Sequence, residues 1–340
     1  MPAEAVHLSA LQDTLTGAPG PVAALVGRPE LREAARLGAV FVDLPYFESF
    51  PRVLLNYLLN RPQRPSRWGD IFHHRTPIAV GRALGEAGAA LQHSRATRSE
   101  GQYLQALALG YFSHAAVDTS AHPQINAMAR ERARRLGSTH GQQHQEVEKF
   151  QSILLHEQRF GFDFMGTATL REHIRIDMRP LLEPGPIASA VQAALLRCHG
   201  EAPDPGSVRS WVSGYRSYVR ILVSPLGKTI APPAAKRRAR PELFDAVDFP
   251  ARFAAAVAQS RRWVATLGDY LQDGRFDDSA LTAFARAIPE GSIDPDLGPD
   301  PCPDPGSDPG SDPGSDPGSD PGSDLRPAPG PSPGPDSASR

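Results

Sequence analysis

His114, Asp118 and His122 stand four residues apart in Gly110-Tyr-Phe-Ser-His114-Ala-Ala-Val-Asp118-Thr-Ser-Ala-His122-Pro123. On a helix that spacing lines the three side chains along one face. Two imidazoles and a carboxylate are metal-ligand chemistry. Eight residues rise about 12 Å, too far for both histidines to grip one ion. Asp118 between them suits two ions, bridged or shared. Pro123 disfavours the α conformation at His122, so the helix is expected to end there. The surrounding stretch is apolar (Leu104, Leu107, Leu109, Phe112, Val117), and polar groups buried in such a helix are costly unless paired or metal-bound. The competing reading, a solvated pair or a helix-end interaction, fits a polar helix better than this one.

A second pair at the same spacing follows in His144-Gln-Glu-Val-Glu148. Alone it is a weak signal. Close behind the first stripe, it can complete a ligand set. His140 precedes His144 by four and reads as an alternate or supporting residue. His93, His156, His173 and His199 have no partner at ligand spacing and are expected at the surface or at helix ends.

Helices must position these residues. Good helix formers fill 29–38, 77–92, 98–121, 141–157, 187–198, 208–222 and 250–272, separated by Pro or Gly, and no run keeps a period of two for long. The fold class is therefore all-α, a multi-helix bundle. Residues 1–180 hold the ligand candidates. Residues 181–288 are expected as additional helices packed on them, and 289–340 as a disordered tail. Of its 52 positions 15 are Pro and 9 are Gly, with Asp-Pro-Gly-Ser repeating from Asp304 to Asp324. Such a composition buries nothing. Calcium loops need a longer unit with a bidentate carboxylate, so the repeat reads as a solvated spacer.

The 340 residues carry a net charge of −2. From Glu290 onward, eleven acidic and two basic residues give −9, so the body carries +7. A mildly basic body suits an anionic substrate or peripheral contact with a membrane. It lacks the clustered Lys and Arg of a dedicated nucleic-acid binder, and no nucleic-acid partner is expected. Lys236, Arg237, Arg238 and Arg240 read as a solvated linker. Two cysteines, Cys198 and Cys302, exclude a disulfide framework and a Cys-based zinc finger. With no secretory signal and no spanning segment, the chain as written is expected in the cytoplasm, with secretion allowed if the true start lies elsewhere. Nothing in the sequence fixes an oligomeric state.

The Gly-aromatic-x-x-His-x-x-x-Asp helix, the following His122 and the His144-x-x-x-Glu148 helix together resemble the zinc-dependent phospholipase C/D family. That family includes bacterial zinc phospholipases C and the N-terminal domain of glycosylphosphatidylinositol-specific phospholipase D; the zinc-dependent single-strand nucleases are more distant. The resemblance covers about residues 1–160 and implies three further ligands. His7 matches a histidine on the first helix. Asp43, in Gly38-Ala-Val-Phe-Val-Asp43, matches an aspartate after a Gly-Ala turn. His74, in His74-Arg-Thr-Pro77, is preferred over His73, which is then a supporting or surface residue. Secreted members also ligate zinc through a processed N-terminal Trp, whereas no Trp precedes Trp68 here.

The resemblance implies two or three zinc ions. One is held by Asp43, His74, His114 and Asp118, a second by His122, His144 and Glu148, and a third by His7 with Asp118. It also implies an attack by metal-bound water on a phosphodiester, most simply a phospholipid head-group bond, with Asp43 as general base. The alternatives are a single-strand nuclease-like phosphodiesterase and a metal-stabilised helical module without catalysis. The sequence has no nucleophile elbow, P-loop or dinucleotide fingerprint.

Overall fold

Segments of helix formers bounded by Pro or Gly fold as helices. The computed structural model describes residues 3–18, 20–58 and 66–293. Its first half runs α1 (Ala3–Leu15), α2 (Gly20–Val26), α3 (Pro29–Phe41), a 3₁₀ turn (Leu44–Phe47), α4 (Phe50–Leu58), α5 (Arg67–His74), α6 (Pro77–Gln92), α7 (Arg98–Leu136) and α8 (His140–Phe160). There follow α9 (Ala168–Ile174), α10 (Arg179–Leu182), α11 (Pro186–His199), α12 (Pro205–Leu222), α13 (Gly227–Ile230), α14 (Pro233–Arg240), α15 (Phe249–Asp273) and α16 (Asp278–Ala287). No strand occurs among the described residues.

α7 is the axis. From Leu104 to Val117 every side chain but Gln105 is buried, so this stretch is apolar all round, as a central helix must be. α3, α6 and α15 pack along it and α8 packs against its later turns. α11, α12 and α15 contribute to the same hydrophobic core as α1, α3 and α7, so residues 181–288 complete one body.

Two glycines set the closest crossing. A Cβ on Gly110 would lie 1.8 Å from the carbonyl oxygen of Ala35, and one on Gly38 would lie 1.9 Å from that of Leu107. Only glycine lets α3 and α7 touch backbone to backbone here. Gly110 precedes His114 by one turn, and Gly38 precedes Asp43 by five residues, so the crossing brings two ligand candidates together.

The expected helix end at His122 is not observed. α7 continues through Pro123 to Leu136. Proline inside a helix removes one hydrogen bond and costs about 3 kcal/mol. His122, Ile125, Asn126 and Ala129 are buried beyond and beside it, and this packing holds the segment helical. α8 starts at a capping box in which Thr139 and Gln142 satisfy each other's backbone N–H, which fixes the register of His144 and Glu148.

Two further expectations are corrected. Lys236, Arg237, Arg238 and Arg240 are not in a linker; they lie on α14, where the buried Lys236 ammonium pairs with Glu157 and Asp163. The body also does not stop at Pro289. Ile288 and Ile293 are buried, the Glu290 carboxylate accepts from the backbone of Ile78 at 3.0 Å, and the Ile293 N–H donates to the carbonyl of His73 at 3.0 Å. Composition hid this segment among the Pro and Gly that follow. The Asp-Pro-Gly-Ser repeat and Cys302 lie outside the described residues. Among those described, no helix is long and apolar enough to cross a membrane.

Candidate metal centre

Five elements converge on one point. α1 brings His7, the turn after α3 brings Asp43, α5 brings His73, α7 brings His114, Asp118 and His122, and α8 brings His144 and Glu148. Among the described residues three trios have ligand atoms close enough to share an ion: His7, His114 and Asp118; Asp43, His73 and His114; His122, His144 and Glu148.

Asp118 is the hub. Its Oδ2 lies 2.8 Å from His114 Nε2 and 3.7 Å from His73 Nε2. Its Oδ1 lies 3.3 Å from His7 Nε2 and 3.5 Å from His122 Nε2. Asp43 Oδ1 is 3.3 Å from His73 Nε2 and 3.9 Å from His114 Nε2, and its Oδ2 is 4.0 Å from His7 Nε2. Glu148 Oε1 lies 3.4 Å from His122 Nε2 and 3.2 Å from His144 Nε2. Asp118 thus stands between an inner group on α5, α7 and the turn after α3 and an outer pair of helices, α7 and α8.

The outer nitrogens are tied down. His114 Nδ1 bonds the Ala39 carbonyl at 2.8 Å, one of the carbonyls left free at the end of α3. His73 Nδ1 bonds the Gly69 carbonyl at 2.8 Å, and His144 Nδ1 bonds Asn126 Oδ1 at 2.7 Å. Each Nδ1 is therefore the donor, and each Nε2 faces the carboxylates as a potential ligand. Inside the cluster the pairing fails. His114 Nε2 and Asp118 Oδ2 are buried and make no hydrogen bond despite their approach, and His7 Nδ1 is likewise unpartnered. Buried polar groups left this way are costly, and a cation in the centre would remove the cost at the Asp118 and His114 atoms. The donor set of neutral imidazole and carboxylate fits such an ion.

The charges agree with this reading. Burial disfavours ionised Asp118, yet His114, His122 and His7 hold its carboxyl far below the usual range. Asp43 is likewise lowered, burial being outweighed by His114, His73 and His7. Glu148 is held well below its ordinary value against burial by His144 and His122. Burial opposes a charge on His114, but Asp118 and Asp43 raise it to about 9; burial and the neighbouring His114 lower His7 to about 4. The cluster as it stands keeps a proton at its centre, where positive charge is wanted.

The choice of His74 is corrected. On α5 one residue turns the side chain by about 100°. His73 shares the buried face with Gly69 and Phe72 and enters the centre; His74 Nδ1 bonds Ser292 Oγ at 2.8 Å. His140 stays outside, with its ring 6.0 Å from that of His144. Sequence reasoning missed Asn126, which extends the 114–118–122 stripe by four more residues and was hidden by the expected stop at Pro123. It also missed Tyr46, whose hydroxyl lies 3.4 Å from His73 Nδ1, and Glu4, a buried carboxylate on α1 that accepts from the Tyr218 hydroxyl at 2.6 Å.

Access is limited. Asp43 and Glu148 are 13% and 16% exposed at their side chains, against 3% for Asp118. A cavity of about 30 Å³ beside Asp118 and Glu148 is walled by Val6, Ala121, Ile125 and Phe249. That is room for about one water.

Behind the centre lies a second histidine group. His156, expected near the surface, is buried on α8; its Nδ1–H donates to the Ser152 carbonyl at 2.7 Å. Its Nε2 accepts from the Ser9 hydroxyl at 2.8 Å. His173 Nε2 donates to the Ala5 carbonyl at 3.0 Å and reaches Ser9 Oγ at 3.2 Å. No protein-family model, curated protein or solved structure matches the chain.

Proposed function

We propose that the chain is a zinc-dependent phosphodiester hydrolase of the phospholipase C/D type, acting on a phospholipid or related diester. One observation carries the reading: the Nε2 atoms of five histidines, three of them with Nδ1 anchored outward, gather around three carboxylates, the buried Asp118 and the partly exposed Asp43 and Glu148. The donor set suits zinc, and the grouping into trios around Asp118 suits more than one ion. Bound there, zinc would polarise a phosphoryl oxygen and supply hydroxide near neutral pH.

The chain's residues divide the remaining work. Asp118, sealed and surrounded by imidazoles, holds its negative charge and orients its neighbours. Asp43 is ionised at neutral pH and four times more exposed than Asp118, so it is placed to take a proton from an attacking water. Asn126 and the carbonyls of Ala39 and Gly69 keep their histidines in the ligand tautomer. The small cavity beside the centre favours one other reading, a zinc site that only joins helices.

Hydrolysis of a short-chain phosphatidylcholine and of bis(p-nitrophenyl) phosphate by zinc-loaded protein separates the two. Wild type is expected to turn over at least one of them. Asp43→Asn is expected to lose about 10²–10⁴-fold, the usual scale of general-base help. Wild type inactive on both substrates, with full zinc content, establishes the structural reading.

A further inference from the structure

A cavity far larger than the one at the metal centre lies away from it. It has a volume of about 280 Å³ and opens between α10, α11 and α12, with Phe41, Leu181, Val191, Leu195, Val208 and Trp211 on its wall. Small-molecule pockets start at about 300 Å³, so it approaches ligand size and is some nine times larger than the space beside Asp118. An apolar void forfeits the dispersion contacts of every side chain that lines it. Its wall also carries an unsatisfied group, because the indole Nε1–H of Trp211 is buried without an acceptor.

The rim is polar and carries one cation, Arg209, and one carboxylate, Glu183. Arg209 is exposed there, and it makes no hydrogen bond or ion pair among the described residues. Across from it begins α11, fourteen residues long, with Gly185 at its N-cap and no side chain capping it. Pro186 has no N–H, so the first free donors belong to Ile187 and Ala188. This terminus carries partial positive charge. Glu183, also on the rim, is within electrostatic reach of Arg179 and supports that residue's charge.

We propose that this cavity binds a medium-chain fatty carboxylate. Its hydrocarbon chain fills the apolar wall, and its head group sits between Arg209 and the start of α11. Apolar burial supplies affinity, at about 0.8 kcal/mol per methylene, and the guanidinium selects the anion. The assignment stands independently of the metal centre. It touches that centre from behind, since Phe41 precedes Asp43 by two residues and Trp211 meets Phe72, the neighbour of His73, edge to face at 6.1 Å.

Titration of the full chain with decanoate, followed by calorimetry and by tryptophan fluorescence, tests it. One decanoate per chain is expected, with a fluorescence change, because Trp68 and Trp211 lie 6.4 Å apart and both report on the wall. Arg209→Ala is expected to weaken decanoate at least tenfold and to leave 1-decanol within twofold. Ala188→Leu and, separately, Val208→Phe fill the space from two sides and should abolish both. Either variant that keeps the wild-type melting temperature suffices. No saturable binding of decanoate overturns the proposal, as does binding that both filling variants leave intact. Equal affinity for decanol and decanoate overturns the carboxylate assignment.

Discussion

Helix α1 serves two histidine groups two residues apart. His7 faces Asp118 and His114; Ser9 faces His156 and His173. Both groups are largely buried; the first joins α1 to α7 and the second joins α1 to α8. They differ in satisfaction. Around Ser9 the hydrogen bonds are made: the Ser9 hydroxyl donates to His156 Nε2, His156 Nδ1–H to the Ser152 carbonyl, and His173 Nε2–H to the Ala5 carbonyl. Around Asp118 the contacts are close but misaligned, and His7 Nδ1, His114 Nε2 and Asp118 Oδ2 have no hydrogen-bond partner. The same residue types thus make a finished structural joint in one place and an unfinished one in the other. The unfinished one has the groups that could hold an ion.

The largest expected effects fall on opposite observables. Asp118→Ala removes the hub, and zinc content is expected to fall to below half of wild type, with hydrolysis of the diester substrates lost. His156→Ala removes the acceptor of the Ser9 hydroxyl, leaving it only the longer contact to His173, at about 1–3 kcal/mol, and opens a buried gap beside Phe164. It should lower the melting temperature by several degrees while zinc content at saturation stays at the wild-type value. Metal analysis and thermal unfolding of both variants check this. Equal zinc loss in the two would erase the distinction between the groups.

An intermediate effect comes from pH. In zinc-free protein, His114 has its pKa raised from 6.5 to about 9. Its contribution is full below pH 6.5 and is lost as pH climbs through 9, up to about 3 kcal/mol. His156 has its pKa lowered to about 3, chiefly by burial, so stability that is complete above pH 6.5 declines as pH falls toward 3. Urea unfolding across pH 4–9.5 should show both flanks. His114→Gln should flatten the alkaline one and His156→Gln the His156 part of the acid one. Zinc should reverse the alkaline flank, because an ion competes with the proton for Nε2. An alkaline flank that survives His114→Gln would place the titrating group elsewhere.

The smallest effect concerns the far end. A chain ending at Ile293 should melt as the full chain does. One ending at Pro289 loses the Glu290 contact to Ile78, the Ser292 contact to His74 and the buried Ile293, and should melt a few degrees lower. Identical melting of the two would show that this segment contributes nothing to the α5–α6 turn.

Local pattern made the long helices legible. Every stretch of helix formers between Pro and Gly breaks became a helix, and the i, i+4 stripe from His114 to His122 lies on one face as its spacing requires. What escaped depended on contacts far apart in sequence. Adjacent histidines cannot be told apart without knowing which face of α5 is buried, so His73 and His74 were exchanged. Pro123 signals a stop in isolation, but packing of Ile125 and Ala129 overrides it. His156 finds Ser9 across 147 residues, beyond any spacing rule. His114, Asp118 and His122 were visible because their spacing sets them on one face of an otherwise apolar stretch, and His144 and Glu148 because the same spacing follows close behind; His7 and Asp43 came only from the family resemblance.

The glycine contact between α3 and α7 has a consequence for how metal comes and goes. Two backbones already touching cannot be drawn closer by an ion, and they are held where they are by the core on either side. Asp43 and His114 therefore keep their spacing whether or not anything lies between them. Zinc would enter a cleft of fixed aperture and leave it without dismantling the helix pair. Exchange of the ion should then proceed much faster than global unfolding. A methyl at either glycine would meet a backbone carbonyl and splay the pair, so an alanine at Gly110 or Gly38 is expected to destabilise the body and, together with that, to shift Asp43 and His114 apart.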